Sequence, residues 1–324
     1  MKNIVILGHG VGVKFVIESL RSSNTKYKVV GLVTHPLIDH KSDLEMIENR
    51  KELYGNYAYN VFDVVEDYNI ELIESANVNE DRVIRWIDKI NPTYIISIGC
   101  RNIIKSTFLT HFKDKVLNIH TTPLPRYRGA ASDSWMILNG EWGKKMYGCI
   151  HFIDEGIDTG AIIAKSYYTV PEKGYPIDVF KARLDTFHDI LLKGLKNLED
   201  DNFIPEKQSK NESTTFPRLN TPRDGKIDFN KFNGEEIIRF IYAFGYPFQG
   251  ASCEMGDKTI NILRAKFYTD ISFHSFATGL IFGKNKQNEY KISVKDGYIL
   301  IKEIEFEGVS IKQNKVFRLG KTLN

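Results

Sequence analysis

Apolar positions in the first two hundred residues alternate between two spacings. Short continuous apolar runs at 2–7, 29–33, 94–98 and 116–119 predict strands buried on both faces. Between them, Val13, Phe15, Val16, Ile17 and Leu20 recur at helical spacing, and Val83, Trp86, Ile87 and Ile90 mark one face of a helix over 79–90. Asn79 is the expected N-cap of that helix and Pro92 its stop. A long amphipathic helix is predicted over 177–198, with Pro176 suited to its first turn. Strands and helices in alternation predict an α/β domain, a Rossmann-like, mostly parallel sheet with helices on both faces. In such sheets functional groups gather at the carboxyl ends of the strands. Asn118, His120 and the Gly99-Cys100 turn fall there.

The pattern changes near residue 200. Residues 200–223 are polar and carry Pro205, Pro217 and Pro222 among Lys, Asn, Ser and Thr, the makeup of a linker. Beyond it a helix is predicted over 234–243, then short strands at 259–263, 278–282, 290–294 and 298–306. Gly256, Gly279, Gly283 and Gly297 punctuate these strands. They suggest a smaller, mostly antiparallel, barrel-like (OB-like) domain. The expected division is a first domain over 1–200, a linker over 201–223 and a β-rich domain over 224–324, which a chain of 324 residues accommodates easily.

Composition narrows the function classes. Cys100, Cys149 and Cys253 are an odd number, far apart and without CxxC spacing, which suggests reduced thiols, a cytoplasmic location and no metal site. The apolar start is broken by Gly8, too soon for a signal peptide, and no apolar run approaches the ~20 residues of a membrane span. With 44 basic against 41 acidic residues, the net charge of +3 argues against a large nucleic-acid footprint.

The candidate chemistry lies in two stretches. In 116–129, Asn118 and His120 are two apart on an apolar strand and point to one face, before a turn through Pro123, Pro125 and Gly129. An apolar strand over 146–153 then leads to the acidic loop Asp154-Glu155-Gly156-Ile157-Asp158-Thr159-Gly160, able to bring Asp158 to the same place. An amide donor, an imidazole and a carboxylate suffice to handle an oxyanion and move a proton. Spacing alone fits equally well a satisfied core histidine beside a strand-end asparagine. Arg126 and Arg128, flanking Tyr127, read either as a solvated turn or as anchors for an anionic substrate. His151, between apolar Ile150 and Phe152, reads as structural. Gly8-His9-Gly10-Val11-Gly12 lacks the third glycine of a dinucleotide fingerprint, since Val13 stands there; a tight strand-to-helix turn accounts for it, with amides able to face a phosphate.

Asn118-x-His120, followed by Pro125-x-x-Arg128-Gly129 and the distant Asp158, resembles the signature of the folate-dependent formyltransferases. This family includes the methionyl-tRNA, glycinamide ribonucleotide and amino-sugar enzymes. The resemblance covers most of the chain. Past the linker, Phe216-Pro217-Arg218, residues 224–229 and residues 246–251 resemble the second domain of the tRNA and sugar members, which the purine-pathway enzyme lacks. The tRNA members carry a glycine- and lysine-rich loop after the second strand; residues 39–50 here have mixed charge, no glycine and read as helix. Residues 60–63, 99–104 and 130–135 look more like the sugar members. Thr122 and Pro123 depart from the tRNA-type pattern, where serine and leucine are usual.

The resemblance implies formyl transfer from N10-formyltetrahydrofolate, in the domain over 1–200, to the amine of a nucleotide-linked deoxyamino sugar. The implied acceptor is dTDP-4-amino-4,6-dideoxyglucose or a 3-amino analogue, for bacterial surface polysaccharide such as O-antigen of lipopolysaccharide; a methionyl-tRNA formyltransferase is the alternative. It implies Asn118, His120 and Asp158 as catalytic residues. The amine proton goes to His120 or to a water held by Asp158. Backbone groups around Ile103, Ile104, Ile153, Asp154, Gly156 and Ile157 would hold the folate. Gly8, Gly10, Arg126, Arg128 and Trp135 would hold the sugar nucleotide. A homodimer formed through the second domain is expected.

Overall fold

The apolar runs at the start of the chain fold as the central strands of a seven-stranded sheet. The computed structural model describes residues 1–324, apart from the side chain of Pro222, so the reading of that proline lies outside the described residues. By proximity the chain forms two compact units: Met1–Gly129 with Lys145–Thr169 and Lys181–Phe216, and Ala130–Lys144 with Val170–Phe180 and Pro217–Asn324.

In the first unit β1 (Lys2–Gly8), β2 (Tyr27–Thr34), β3 (Glu71–Glu74), β4 (Tyr94–Ile98) and β5 (Val116–His120) run parallel in the order β3-β2-β1-β4-β5. A two-residue strand, β6 (Arg128–Gly129), stands outside this sheet. β7 (Lys145–Phe152) and β8 (Ile162–Thr169) then extend the sheet from β5, each antiparallel to its neighbour. Ile4, Val5, Ile6 and Leu7 have no exposed surface, as a strand covered on both faces requires. One face of the sheet contributes Val5, Leu7, Val33, Ile95 and Val116 to a core with Val83 and Ile87 of the helix Asp81–Ile90 and with Phe108 and Phe112. The helix Val11–Ser22 packs on the helix Phe187–Asn197, which lies against β7 and β8.

Several details differ from the sequence reading. Asn79 does not cap the helix, which starts at Asp81 after Glu80. Its side chain instead donates to the Ile103 carbonyl at 3.0 Å and accepts from the Lys105 amide at 2.8 Å, tying down the loop after β4. The predicted helix over 177–198 is two helices, Pro176–Leu184 and Phe187–Asn197. Thr186 makes the break: its hydroxyl donates to the Arg183 carbonyl at 2.6 Å and its amide bonds the same oxygen at 3.2 Å, a tight turn in place of the helical bond. β8 has no counterpart in the sequence reading.

The segment read as linker pairs with distant residues at several points. Glu206 exchanges two 2.8 Å backbone bonds with Ile162. β9 (Thr215–Phe216) pairs in parallel with β6, and the Tyr127 and Phe216 rings stack at 5.3 Å.

The second unit holds the antiparallel sheet expected from the short, glycine-punctuated strands. β10 (Ala251–Met255), β11 (Lys258–Tyr268), β12 (Ile281–Lys284), β13 (Tyr290–Val294) and β14 (Gly297–Phe306) follow the order β10-β11-β14-β13-β12, with β15 (Val309–Ser310) on β14. The helix Gly234–Ala243 begins in a capping box formed by Asn233 and Glu236 and packs on β11 and on the helix Ser132–Leu138. Among the described residues no helix is long and apolar enough to cross a membrane, and all three cysteines are free.

Candidate active site

β5 presents Asn118 and His120 on one face at its carboxyl end, and its antiparallel pairing with β7 sets His151 directly opposite Asn118. His151 is 1% exposed at its side chain. Its Nδ1–H donates to the Phe152 carbonyl at 2.7 Å, which leaves Nε2 as an acceptor for the Asn118 amide at 3.1 Å. Burial above all, then the neighbouring His120, holds the His151 pKa down to about 4, against an upward pull from Asp158. His151 therefore stays neutral and keeps accepting from Asn118. Sequence reasoning set it aside as structural; only the β5–β7 register reveals its contact with Asn118.

The acidic loop brings Asp158 to these groups. One carboxylate oxygen accepts from the Gly129 amide at 2.9 Å and stands 3.6 Å from His120 Nδ1; the other accepts a long 3.5 Å bond from Asn118. His120 Nε2 donates to the Tyr127 carbonyl at 2.6 Å, with the Thr122 hydroxyl 2.7 Å away. A carbonyl only accepts, so Nε2 carries the hydrogen and Nδ1 is the basic nitrogen. A proton arriving at Nδ1 would face the Asp158 carboxylate. His120 and Asp158 keep 11% and 17% side-chain exposure, enough to meet a substrate. Asp158 adopts a left-handed backbone (φ 52°), which costs a non-glycine residue about 1–2 kcal/mol.

The other residues singled out in the sequence are spread more widely. Ile153 and Asp154 line a cavity of about 200 Å³ with Leu109, Phe112 and Val116. Ile104 is buried in the adjoining core, whereas Ile103, Gly156 and Ile157 are exposed. Gly8 is required by close approach, since a Cβ there would lie 1.7 Å from the Ile98 carbonyl oxygen. Gly10 precedes the helix Val11–Ser22 with φ 75°. Arg126 is exposed, its guanidinium 5.7 Å from the Tyr127 ring centre. Arg128 donates from Nε and Nη2 to Gln208 at 3.2 and 2.7 Å. Trp135 belongs to the second unit, where its indole donates to the Pro217 carbonyl at 2.9 Å.

Next to Gly8, the ligating atoms of His9, His40 and Asp43 lie within 4.8 Å of one another. The Arg101 guanidinium bonds Asp43 there, a positive charge that opposes a cation. Burial first, then His40 and Arg101, push the His9 pKa down to about 3.

These neutral histidines set a pH dependence. Between the ordinary histidine value of 6.5 and the folded values of about 3 and about 4, the unfolded chain binds protons that His9 and His151 refuse. Stability therefore falls on acidification, by up to about 1.4 kcal/mol per pH unit for each such group. The urea midpoint is expected to drop between about pH 7 and about pH 5, before most carboxylates titrate. A flat midpoint across that window would contradict the burial of both rings.

A parallel-rich sheet carrying an amide, an imidazole and a carboxylate at one strand end has the architecture of an acyl-transferring enzyme. The chain belongs to the formyl transferase family: residues 2–193 match the Formyl transferase model and residues 220–320 the Formyl transferase, C-terminal domain model. It is 28% identical over 239 residues to the methionyl-tRNA formyltransferase of Clostridium tetani, 74% of each chain. Its fold is shared by the sugar 3N-formyl transferase WlaRD, solved in the presence of dTDP and 5-N-formyl-THF (TM-score 0.64, 22% identity, 98% of this chain and 99% of that one). The N-formyltransferase of Helicobacter canadensis, in complex with folinic acid and dTDP-3-aminofucose, is similar as well (TM-score 0.62, 19% identity, 93% and 99%).

Proposed function

We propose that this enzyme moves a formyl group from N10-formyltetrahydrofolate to the amine of a nucleotide-linked deoxyamino sugar, with Asn118, His120 and Asp158 as its catalytic residues. The observation that carries the reading is the meeting of those three side chains at the end of β5, with Asp158 3.5 Å from Asn118 and 3.6 Å from His120. The co-substrate supplies the formyl carbon; a bond forms from the sugar nitrogen to that carbon as the bond from carbon to N10 breaks. The cavity beside Ile153, lined by Leu109, Phe112, Val116 and the two acidic residues Asp114 and Asp154, offers polar groups to a heteroaromatic ring. Asn118 donates its amide hydrogen to the formyl oxygen as that oxygen gains charge. His120 Nδ1 takes the proton released by the amine, faces Asp158 as imidazolium, and returns the proton to the departing nitrogen. Asp158 fixes the ring and balances its charge.

An amino-sugar acceptor is supported by the two full-length structural relatives that bind dTDP or a dTDP-sugar. It is also supported by the helix Leu37–Asn49, whose mixed charges and lack of glycine suit it poorly to cradling a tRNA backbone. The product of such a reaction would enter bacterial surface polysaccharide. The methionyl-tRNA reading rests on the sequence relatives. We take residues 1–200 as the catalytic domain, 201–223 as its linker and 224–324 as the second domain. With the folate donor present, the purified protein is expected to formylate a dTDP-linked 3- or 4-amino sugar and to leave methionyl-tRNA unmodified. Turnover of the tRNA with none of the sugars would replace this acceptor assignment with the other.

A further inference from the structure

We propose that Gln208, in the segment whose composition reads as a linker, is a positioning residue that holds Asp158 in its working backbone conformation. The proposal rests on the catalytic role given to Asp158 above. Each polar atom of the Gln208 amide is used twice. Its nitrogen donates to the Asp158 and Gly160 carbonyls, both at 2.8 Å. Its oxygen accepts from Arg128 Nε at 3.2 Å and Nη2 at 2.7 Å. One side chain thus ties both ends of the turn 158–160 to the strand whose next residue, Gly129, donates its amide to the Asp158 carboxylate.

Asp158 needs such a tether because its backbone is left-handed, a conformation that aspartate holds only when its surroundings impose it. Gly160 limits the loop from the other side, since a Cβ there would sit 1.8 Å from the Phe152 carbonyl oxygen. Gln208 is itself fixed at both flanks. Glu206 is bonded to Ile162, and Thr214 donates its amide to the Pro125 carbonyl at 3.1 Å. The aim of the Asp158 carboxylate at His120 therefore depends on a residue fifty positions downstream.

The test compares the full-length enzyme with Gln208→Ala and with Gln208→Glu, which keeps the size and the acceptors for Arg128 but loses both donors. Both variants are expected to lose about 10- to 100-fold in kcat, with KM for either substrate changed less than about threefold, the cost of misplacing a catalytic group. In an Asp158→Ala background, Gln208→Ala is expected to cost nothing further in kcat, because the two act through one interaction. Hydrogen exchange at the Gly129 amide is expected to be at least about 10-fold faster in both single variants. That readout needs no turnover, so it separates failure of this proposal from failure of the catalytic assignment. Unchanged kcat and unchanged Gly129 exchange in Gln208→Glu would overturn the proposal, as would a full additional loss in the Asp158→Ala background.

Discussion

Asn118→Ala and His120→Ala are each expected to lower kcat by ~100-fold or more while the protein stays folded. The Asn118 amide carries two hydrogens. One is committed to His151 at 3.1 Å; the other makes only a 3.5 Å contact with Asp158 and is the one free to turn to a charged oxygen. Removing one such donor typically costs ~3 kcal/mol of transition-state stabilisation, which is the stated fall in rate. Asn118→Asp replaces the donor by an acceptor facing Asp158 and should be no better than alanine. For His120, the loss is the basic Nδ1 that stands 3.6 Å from the Asp158 carboxylate. Both side chains sit at the end of β5, outside the packed core, so circular dichroism and the unfolding midpoint should stay close to wild type. Near-normal turnover in either variant would remove that residue from the chemistry.

Gly129→Ala is expected to damage stability and rate together. The residue has φ 95°, where a Cβ is strained, and that Cβ would lie 2.2 Å from the Phe216 carbonyl oxygen. The contact is backbone against backbone, so β6 and β9 must separate for the methyl group to fit. A strained backbone position of this kind costs on the order of 1–3 kcal/mol, before the lost ladder bonds are added. The Gly129 amide also holds the Asp158 carboxylate at 2.9 Å. A displacement near 1 Å there should lower kcat by about 100-fold. A variant with wild-type melting temperature and turnover would show that the β6–β9 pair does not set the position of Asp158.

The parts legible from sequence were those governed by local pattern. Continuous apolar runs gave β1, β4 and β5, and period two put Asn118 and His120 on one face. Gly234–Ala243 was readable to the residue, and the structure starts it with a local cap formed by Asn233 and Glu236. What escaped the sequence depended on partners far along the chain. His151 looked structural because its contact with Asn118 follows from the antiparallel register of β5 and β7, which no local spacing encodes. Gln208 was lost in a polar, proline-marked stretch that composition reads as linker, because its bonds to Arg128, Asp158 and Gly160 follow from tertiary pairing alone. Asn79 offered a cap by type but found better partners in the loop at 103–105. The helix over 177–198 kept its apolar period through a break that rests on the Thr186 hydroxyl.

The short ladder between β6 and β9 bears on how enzymes of this build diversify. The chain makes its last passage through the first unit as far as Phe216, which pairs there with Gly129. Recombination that swapped the C-terminal half would leave the chemistry intact only when the crossover lay beyond that phenylalanine. A junction nearer residue 200, where composition alone would place it, would graft on foreign sequence where the loop 158–160 is held by Gln208.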